Sequence, residues 1–401
     1  MIRPIGKRKR NCRDFWLSLR KVLSQKLHCD DCCRQTSLLE GNVTATLTND
    51  GTVVSTKLNP LHHSTEHVGQ YYTVPISDVS VLFSHGLPKS GYLDEMNTIG
   101  EFNLMIRKPA LTILNALNIE EKRVKRIVIY GEDGCGKTLT LSHVIHNCYL
   151  KEWILLLLPS VFKMIHGRQN VIPSIYNPKR FDQTEVALTW LKSFQILNER
   201  FLSKIKTTKE YKISQKISID TGSSIINVID QAFHRPNFAS DAVGITLKEV
   251  QCLSNRIPVL FAADEFNGLF WQTSLKNPEN NERLKNKDLS LVKHFVKLFR
   301  EDSSLAKGSY VVALSRTGME RSFCPSYHYS DLLRPKGLST LGYFDPVNVP
   351  AYDEEELQKC LTYYHKKGIF SKDFSIDQTF KEVAYLTNRR PILVQKMVLP
   401  F

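Results

Sequence analysis

Residues 131–138 read Gly-Glu-Asp-Gly-Cys-Gly-Lys-Thr, so that Gly131-x-x-x-x-Gly136-Lys137-Thr138 falls at a fixed spacing. That spacing suits the cradling of phosphate groups by a backbone loop. Gly131, Gly134 and Gly136 let the chain wrap tightly with its N–H groups turned inward. Glu132, Asp133 and Cys135 fill the positions between them. Lys137 would reach the β- and γ-phosphates of a nucleotide, and Thr138 would offer its hydroxyl to Mg²⁺. A helix starting near Lys137 would aim its positive end at the same phosphates. The metal needs an acid from another strand, and "PVLFAADEF" supplies Asp264 directly after an apolar run. Asp264 would hold the Mg²⁺ shell, and Glu265 is the candidate catalytic group, placed to polarise an attacking water. Each has a plainer reading: Asp264 as a turn or helix-cap acid, Glu265 as an acid that merely follows another. Ser315, after "GSYVVAL", stands where a polar sensor of the terminal phosphate would sit, though a polar strand exit explains it equally well. No arginine finger is evident; Arg107, Lys108, Arg316, Arg389 and Arg390 are candidates for that role only by charge.

These side chains need a sheet to carry them. Apolar runs predict buried strands over 126–130, 153–159, 258–263 and 308–314. Helical spacing predicts helices over 138–153, 181–205, 223–232, 246–256 and 289–300. Apolar strands alternating with helices imply an α/β fold, a parallel sheet covered on both faces. The expected division is 1–40 as a transit peptide and linker and 41–100 as an extended N-terminal arm. Residues 101–330 then form the nucleotide-binding domain, and 331–401 a small, mostly helical C-terminal lid.

Charge is unevenly spread. Residues 1–28 hold nine Lys/Arg against Asp14 alone, and so carry +8 of the net +14. With the apolar-basic stretch "FWLSLRKVLSQKLH", this opening fits a mitochondrial transit peptide; a nucleic-acid-binding or disordered basic arm is the alternative. Two further basic surfaces are candidates for neutralising nucleic-acid phosphates. One is residues 200–216, which contain a single acid, Glu210; the other is Lys366, Lys367, Arg389, Arg390 and Lys396. A solvated helix face explains either as simply. The Cys-x-x-Cys within "CDDCC" (29–33) has no second ligand pair nearby, so a zinc site is not expected there. The apolar run "WILLLL" is far too short to span a bilayer, so no membrane span is expected.

Several segments resemble the death-associated protein 3 family, the nucleotide-binding protein of the mitochondrial small ribosomal subunit. They are "YYTVP", "EFNLMIRKPAL", "IVIYGEDGCGKTLTL", "FDQTEVALTWLKSFQILNERFL", "PVLFAADEFNGLF", "VVALSRTG" and "LTYYHKKGIF", in order from Tyr71 onward. The resemblance implies a P-loop NTPase core of AAA-like type that binds a guanine nucleotide, GTP or GDP with Mg²⁺, through residues 131–138 and Asp264. It implies residence in the mitochondrial matrix, in the head of the small subunit. The implied partners are ribosomal proteins, ribosomal RNA and the large subunit at inter-subunit bridges; the family is also linked to apoptosis. Two positions depart from the family pattern: Glu265, where a small residue is expected, and Arg390, where a small polar residue is expected before Pro391. A phosphate loop reads phosphates rather than the base, so ATP stays open beside GTP and GDP. The leading expectation is a ribosomal protein whose nucleotide mainly stabilises the fold, with hydrolysis slow or absent. An active ATPase or GTPase and an apoptosis-linked adaptor are the alternatives.

Overall fold

Every buried strand of the central sheet has an apolar residue on both faces, and that pattern decides the architecture. The computed structural model describes residues 53–399, apart from 84–85, 89, 120–123, 168, 215–216, 301–304, 319–325 and 370–375. All described residues belong to one unit, Thr44–Phe401. The expected transit peptide, its basic opening and the cysteines at 29–33 lie outside the described residues.

Five strands form the central sheet: β1 (Lys125–Tyr130), β2 (Ile154–Leu158), β3 (Val259–Ala263), β4 (Gly308–Ala313) and β5 (Asp345–Asn348). Their order is β5-β1-β4-β3-β2, and every pairing is parallel. Nine of the helices among the described residues are α1 (Ser90–Ile99), α2 (Lys108–Asn118), α3 (Lys137–Leu150), α4 (Thr184–Leu197), α5 (Ala239–Leu253), α6 (Ser290–Lys297), α7 (Glu354–Lys366), α8 (Ile376–Thr387) and α9 (Pro391–Val398). Alternation along the strands sends Ile127, Ile129, Leu155, Leu157, Leu260, Ala262, Val311 and Ala313 to one face. There they meet α2, α3 and the N-terminal arm, through Ile113, Val144, Ile145, Tyr72 and Leu104. Val128, Leu156, Phe261 and Val312 go to the other face, against Trp190 and Phe194 of α4, Val243 of α5 and Phe295 of α6. This is the P-loop NTPase-type α/β fold, with an AAA-like parallel core and a helical C-terminal region. No helix among the described residues is long and apolar enough to cross a membrane.

Three departures from sequence expectation have physical causes. β5, read as "DPVN", was not expected as a strand: it is a polar edge strand with Pro346, paired on one side only. The expected single helix over 181–205 is a short strand (Phe181–Asp182), then α4, then a 3₁₀ segment, Glu199–Lys204. The break is at Asn198, whose buried amide accepts from the Leu155 N–H at 2.8 Å and donates to the Leu155 carbonyl at 2.9 Å. It thereby satisfies the outer edge of β2, which would otherwise expose unpaired backbone groups. The arm is more than extended chain. Ser55–Thr56, Tyr71–Thr73 and Asn103–Met105 form a small sheet, and Ile76–Leu82 and α1 are helical.

Candidate functional site

The sheet order brings the ends of β1, β4 and β3 side by side, and the predicted residues gather at those ends. Gly131, Gly134 and Gly136 all have positive φ (134°, 80° and 96°), a region other residues rarely enter. Space reinforces the requirement: a Cβ on Gly131 would stand 2.5 Å from the Val349 carbonyl oxygen, and one on Gly134 would stand 2.1 Å from Ile392 Cγ2. Gly136 is the left-handed cap from which α3 starts, so α3 opens at Lys137 as the motif requires. Lys137 is buried, and its Nζ donates to the carbonyls of Gly131 (2.8 Å) and Glu132 (2.7 Å). Those bonds hold the ammonium over the loop, where arriving phosphate oxygens can replace weaker neutral acceptors.

Thr138 Oγ1 donates to Asp264 Oδ2 at 2.7 Å, joining the two predicted metal-shell groups. Asp264 is 1% exposed, and its Oδ1 accepts the Glu265 N–H at 2.9 Å. Glu265 adopts a left-handed backbone (φ 60°, ψ 32°) that turns its side chain away from the loop toward the end of β2. Its carboxylate accepts from Ser160 Oγ, from the Phe162 N–H at 3.2 Å and from Thr317 Oγ1 at 2.9 Å. Asp264, Ser315 and Thr317 line the cavity in front of the loop, whereas Glu265 is engaged behind them. Ser315 is fixed by a reciprocal pair with Asn267, whose amide accepts its N–H (3.0 Å) and donates to its carbonyl (2.9 Å); its hydroxyl pairs with Thr317 Oγ1 at 2.7 Å. Sequence reading missed Ser160 and Asn267. The available signal for Ser160 was a polar residue just past the end of a buried strand, the position that Asp264 and Ser315 also occupy.

The cationic candidates divide by partner. Arg107 is a strut within the protein: its Nε and Nη2 grip Glu356 at 3.0 and 2.8 Å, and its Nη1 donates to the Cys135 carbonyl at 2.7 Å. Glu356 in turn closes a capping box with Asp353 at the start of α7. Cys135 is buried, and burial pushes its thiol up, away from the reactive thiolate. Arg316 and Arg390 take the two loop acids: Arg316 Nη2 lies 2.8 Å from Asp133, and Arg390 Nη2 lies 2.6 Å from Glu132. These pairs are more than a third exposed, so each contributes little stability by itself. Lys108 and Arg389 lie outside the loop, near Asp353 (3.2 Å) and Glu354 (4.0 Å). α9 begins on the loop, where the Ile392 N–H donates to the Gly134 carbonyl at 3.0 Å.

The cavity of about 330 Å³ runs from Lys137, Thr138 and Asp264 to a wall that includes Tyr71, Tyr92, Glu95, Tyr352, Tyr364 and Gln395. Its size and its mix of an apolar wall with a few polar groups fit a small-molecule site. A phosphate-reading loop at one end and a mostly aromatic wall beyond it fit a nucleotide with its metal at Thr138 and Asp264. The basic stretches end up in different settings. Lys209 and Lys212 join Arg180, Lys248, Lys293, Lys297 and Arg300, which sequence reading missed, around one cleft. Burial first, and then their cationic neighbours, push the Lys248 and Lys293 amines down. In the C-terminal set, by contrast, Lys367, Arg389 and Arg390 meet Glu101, Glu354 and Glu132.

A family model described as mitochondrial ribosomal death-associated protein 3 matches residues 104–397. The small ribosomal subunit protein mS29 of Bos taurus is 35% identical over 345 residues, covering 84% of this chain and 86% of that one. Its Mus musculus counterpart is 34% identical over 345 residues, covering 84% and 87%. Among solved structures, a Walker-type ATPase of Pyrococcus abyssi is 14% identical and covers 73% of this chain and 65% of its own, at a TM-score of 0.41. That likeness is too distant to carry an argument, and the fold stands on the strand order and loop described above. The phosphate loop, the acid on β3 and the match across residues 104–397 converge: the chain belongs to the mitochondrial ribosomal death-associated protein 3 family.

Proposed function

We propose that this protein is a structural component of the small subunit of the mitochondrial ribosome, in the matrix, and that it binds a guanine nucleotide mainly as a brace for its own fold. One observation carries the brace. The cavity is walled by three segments far apart in the chain: the arm (Tyr71, Tyr92, Glu95), the phosphate loop with its sheet ends, and the C-terminal region (Tyr352, Tyr364, Ile392, Gln395). A ligand that needs all three together binds the folded state and not the unfolded chain. It therefore adds about 2.7 kcal/mol at a hundredfold excess over its Kd. Gly131, Gly134, Gly136 and Lys137 bind the phosphates, Glu132, Asp133 and Cys135 shape the loop, and Ser315 stands at its far side. Thr138 and Asp264 would hold Mg²⁺, which would neutralise phosphate charge. Ribosomal partners follow from the family; the basic cleft around Lys209, Lys248 and Lys297 suits ribosomal RNA phosphates, and bridges to the large subunit are part of the same proposal.

Gradient sedimentation of mitochondrial lysate should find the protein in the small-subunit peak, and its absence there would sink the ribosomal reading. Lys137→Ala should abolish nucleotide retention, as read by mass spectrometry of released nucleotide, and should erase the thermal shift that added GDP gives the wild type. If wild type and variant carry the same nucleotide and the same shift, the brace idea fails. The active-enzyme alternative rests on Glu265 following Asp264. Since Ser160, Phe162 and Thr317 occupy its carboxylate, Glu265→Gln should leave any single-turnover hydrolysis at its starting rate. A general base would instead show a fall of about 10²–10⁴-fold.

A further inference from the structure

We propose that Glu95 and Gln395 together read the edge of the base and select guanine over adenine. This rests on the nucleotide reading above and adds the groups that choose among nucleotides. The cavity carries three carboxylates; Asp133 and Asp264 belong to the phosphate end, and Glu95 comes from α1 in the arm. Ile392 touches Gly134, and Gln395 lies three residues further along α9, about 4.5 Å up the helix. Gln395 Nε2 donates to Glu95 Oε2 at 2.6 Å, and Tyr364 Oη donates to Oε1 at 2.8 Å. These two donors orient the carboxylate, which is 6% exposed as a whole residue, and leave it unused acceptor capacity.

The chemistry of that capacity is selective. Guanine presents two adjacent donors on its pairing edge, N1–H and the 2-amino group. A carboxylate accepts both at once, as a fork of parallel hydrogen bonds. Adenine presents an acceptor at N1 and no donor at C2, so the same carboxylate would face a lone pair. Burial pushes the Glu95 carboxyl up to about 7 against the pull of its two donors, so two further N–H donors from a ligand would favour the ionised form and release its proton. Sites built around a hydrogen-bonded ligand group reject analogues that leave buried polar groups unpaired by large factors.

The full chain can be tested by competition against a fluorescent guanosine diphosphate with guanosine, inosine, xanthosine and adenosine diphosphates. Wild type should bind the inosine form at least tenfold more weakly than the guanosine form, and the adenosine form at least a hundredfold more weakly. Glu95→Gln should lose at least tenfold for guanosine diphosphate and gain for xanthosine diphosphate, whose C2 carbonyl can accept from the new amide. The exchange Glu95→Gln with Gln395→Glu returns a carboxylate to the pair and should restore the guanosine preference. Equal binding of the inosine and guanosine forms by wild type overturns the inference without any variant. So does an unchanged guanosine-to-adenosine ratio in Glu95→Gln. Failure of wild type to bind any of the four would overturn the nucleotide reading and this inference with it, whereas Lys137→Ala should weaken all four alike.

Discussion

Arg107→Met is expected to destabilise the protein by about 3–5 kcal/mol, the usual effect of breaking a buried ion pair from one side. Arg107 is 6% exposed and Glu356 3%, so neither can fall back on water. The methionine keeps much of the stem's volume but leaves the Glu356 carboxylate with the Asp353 N–H as its remaining described donor. The same change removes the donor to the Cys135 carbonyl and those to the Pro350 (3.1 Å) and Ala351 (3.3 Å) carbonyls. The phosphate loop thereby loses its tie to α7. Replacing both partners with apolar residues is expected to recover a large part of the loss, since two missing charges cost less than one stranded charge. Denaturant midpoints of the two single variants and the double would measure this. A double variant as weak as Arg107→Met would shift the weight from the ion pair to the loop carbonyls.

The second large effect is a pH dependence centred on His294. Burial drives this imidazole down to about 3, helped by Lys248, Arg180, Lys297 and Lys293 around it. In the unfolded chain a histidine takes up its proton near pH 6.5. The folded state thus holds fewer protons, and the stability contribution is fully present above 6.5 and is lost as pH falls below it. By pH 5 the loss is about 2 kcal/mol. His294→Gln should remove it, so that the stability difference between variant and wild type shifts by that amount between pH 7.5 and pH 5. A constant difference across that range would mean that the ring is protonated in the folded protein. Glu95 runs the other way: its raised carboxyl takes up a proton in the folded state first, so its contribution is largest at acid pH and is lost as pH rises through about 7. Comparing His294→Gln with wild type, rather than following wild type alone, keeps the two apart.

What the sequence revealed and what it hid divide along one line, the range of the determining contact. The loop and the strands of "RIVIY", "PVLFAA" and "GSYVVAL" were legible because local glycine spacing and apolar runs decide them. Asp264 was legible because it ends such a run. β5 was hidden because a short polar edge strand is made by its neighbour rather than by its own residues. The stop at Asn198 was hidden because its cause lies at Leu155, 43 positions away. Glu95 was hidden most thoroughly: its partners Tyr364 and Gln395 stand 269 and 300 residues further along the chain, and no local pattern marks the α1 residue that meets them.

The seat of α9 on the loop has a consequence for the life of the chain before it folds. Ile392, near the start of α9, rests directly on Gly134. During synthesis the loop and β1–β4 are made long before that helix exists, so the pocket lacks this part of its wall until α9 has left the tunnel. Any polypeptide cut short before α9 carries a complete phosphate loop without Ile392 and Gln395 in the cavity wall. Ligand capture then reports on α9: on the proposed reading, a chain that holds its nucleotide has been made at least through that helix.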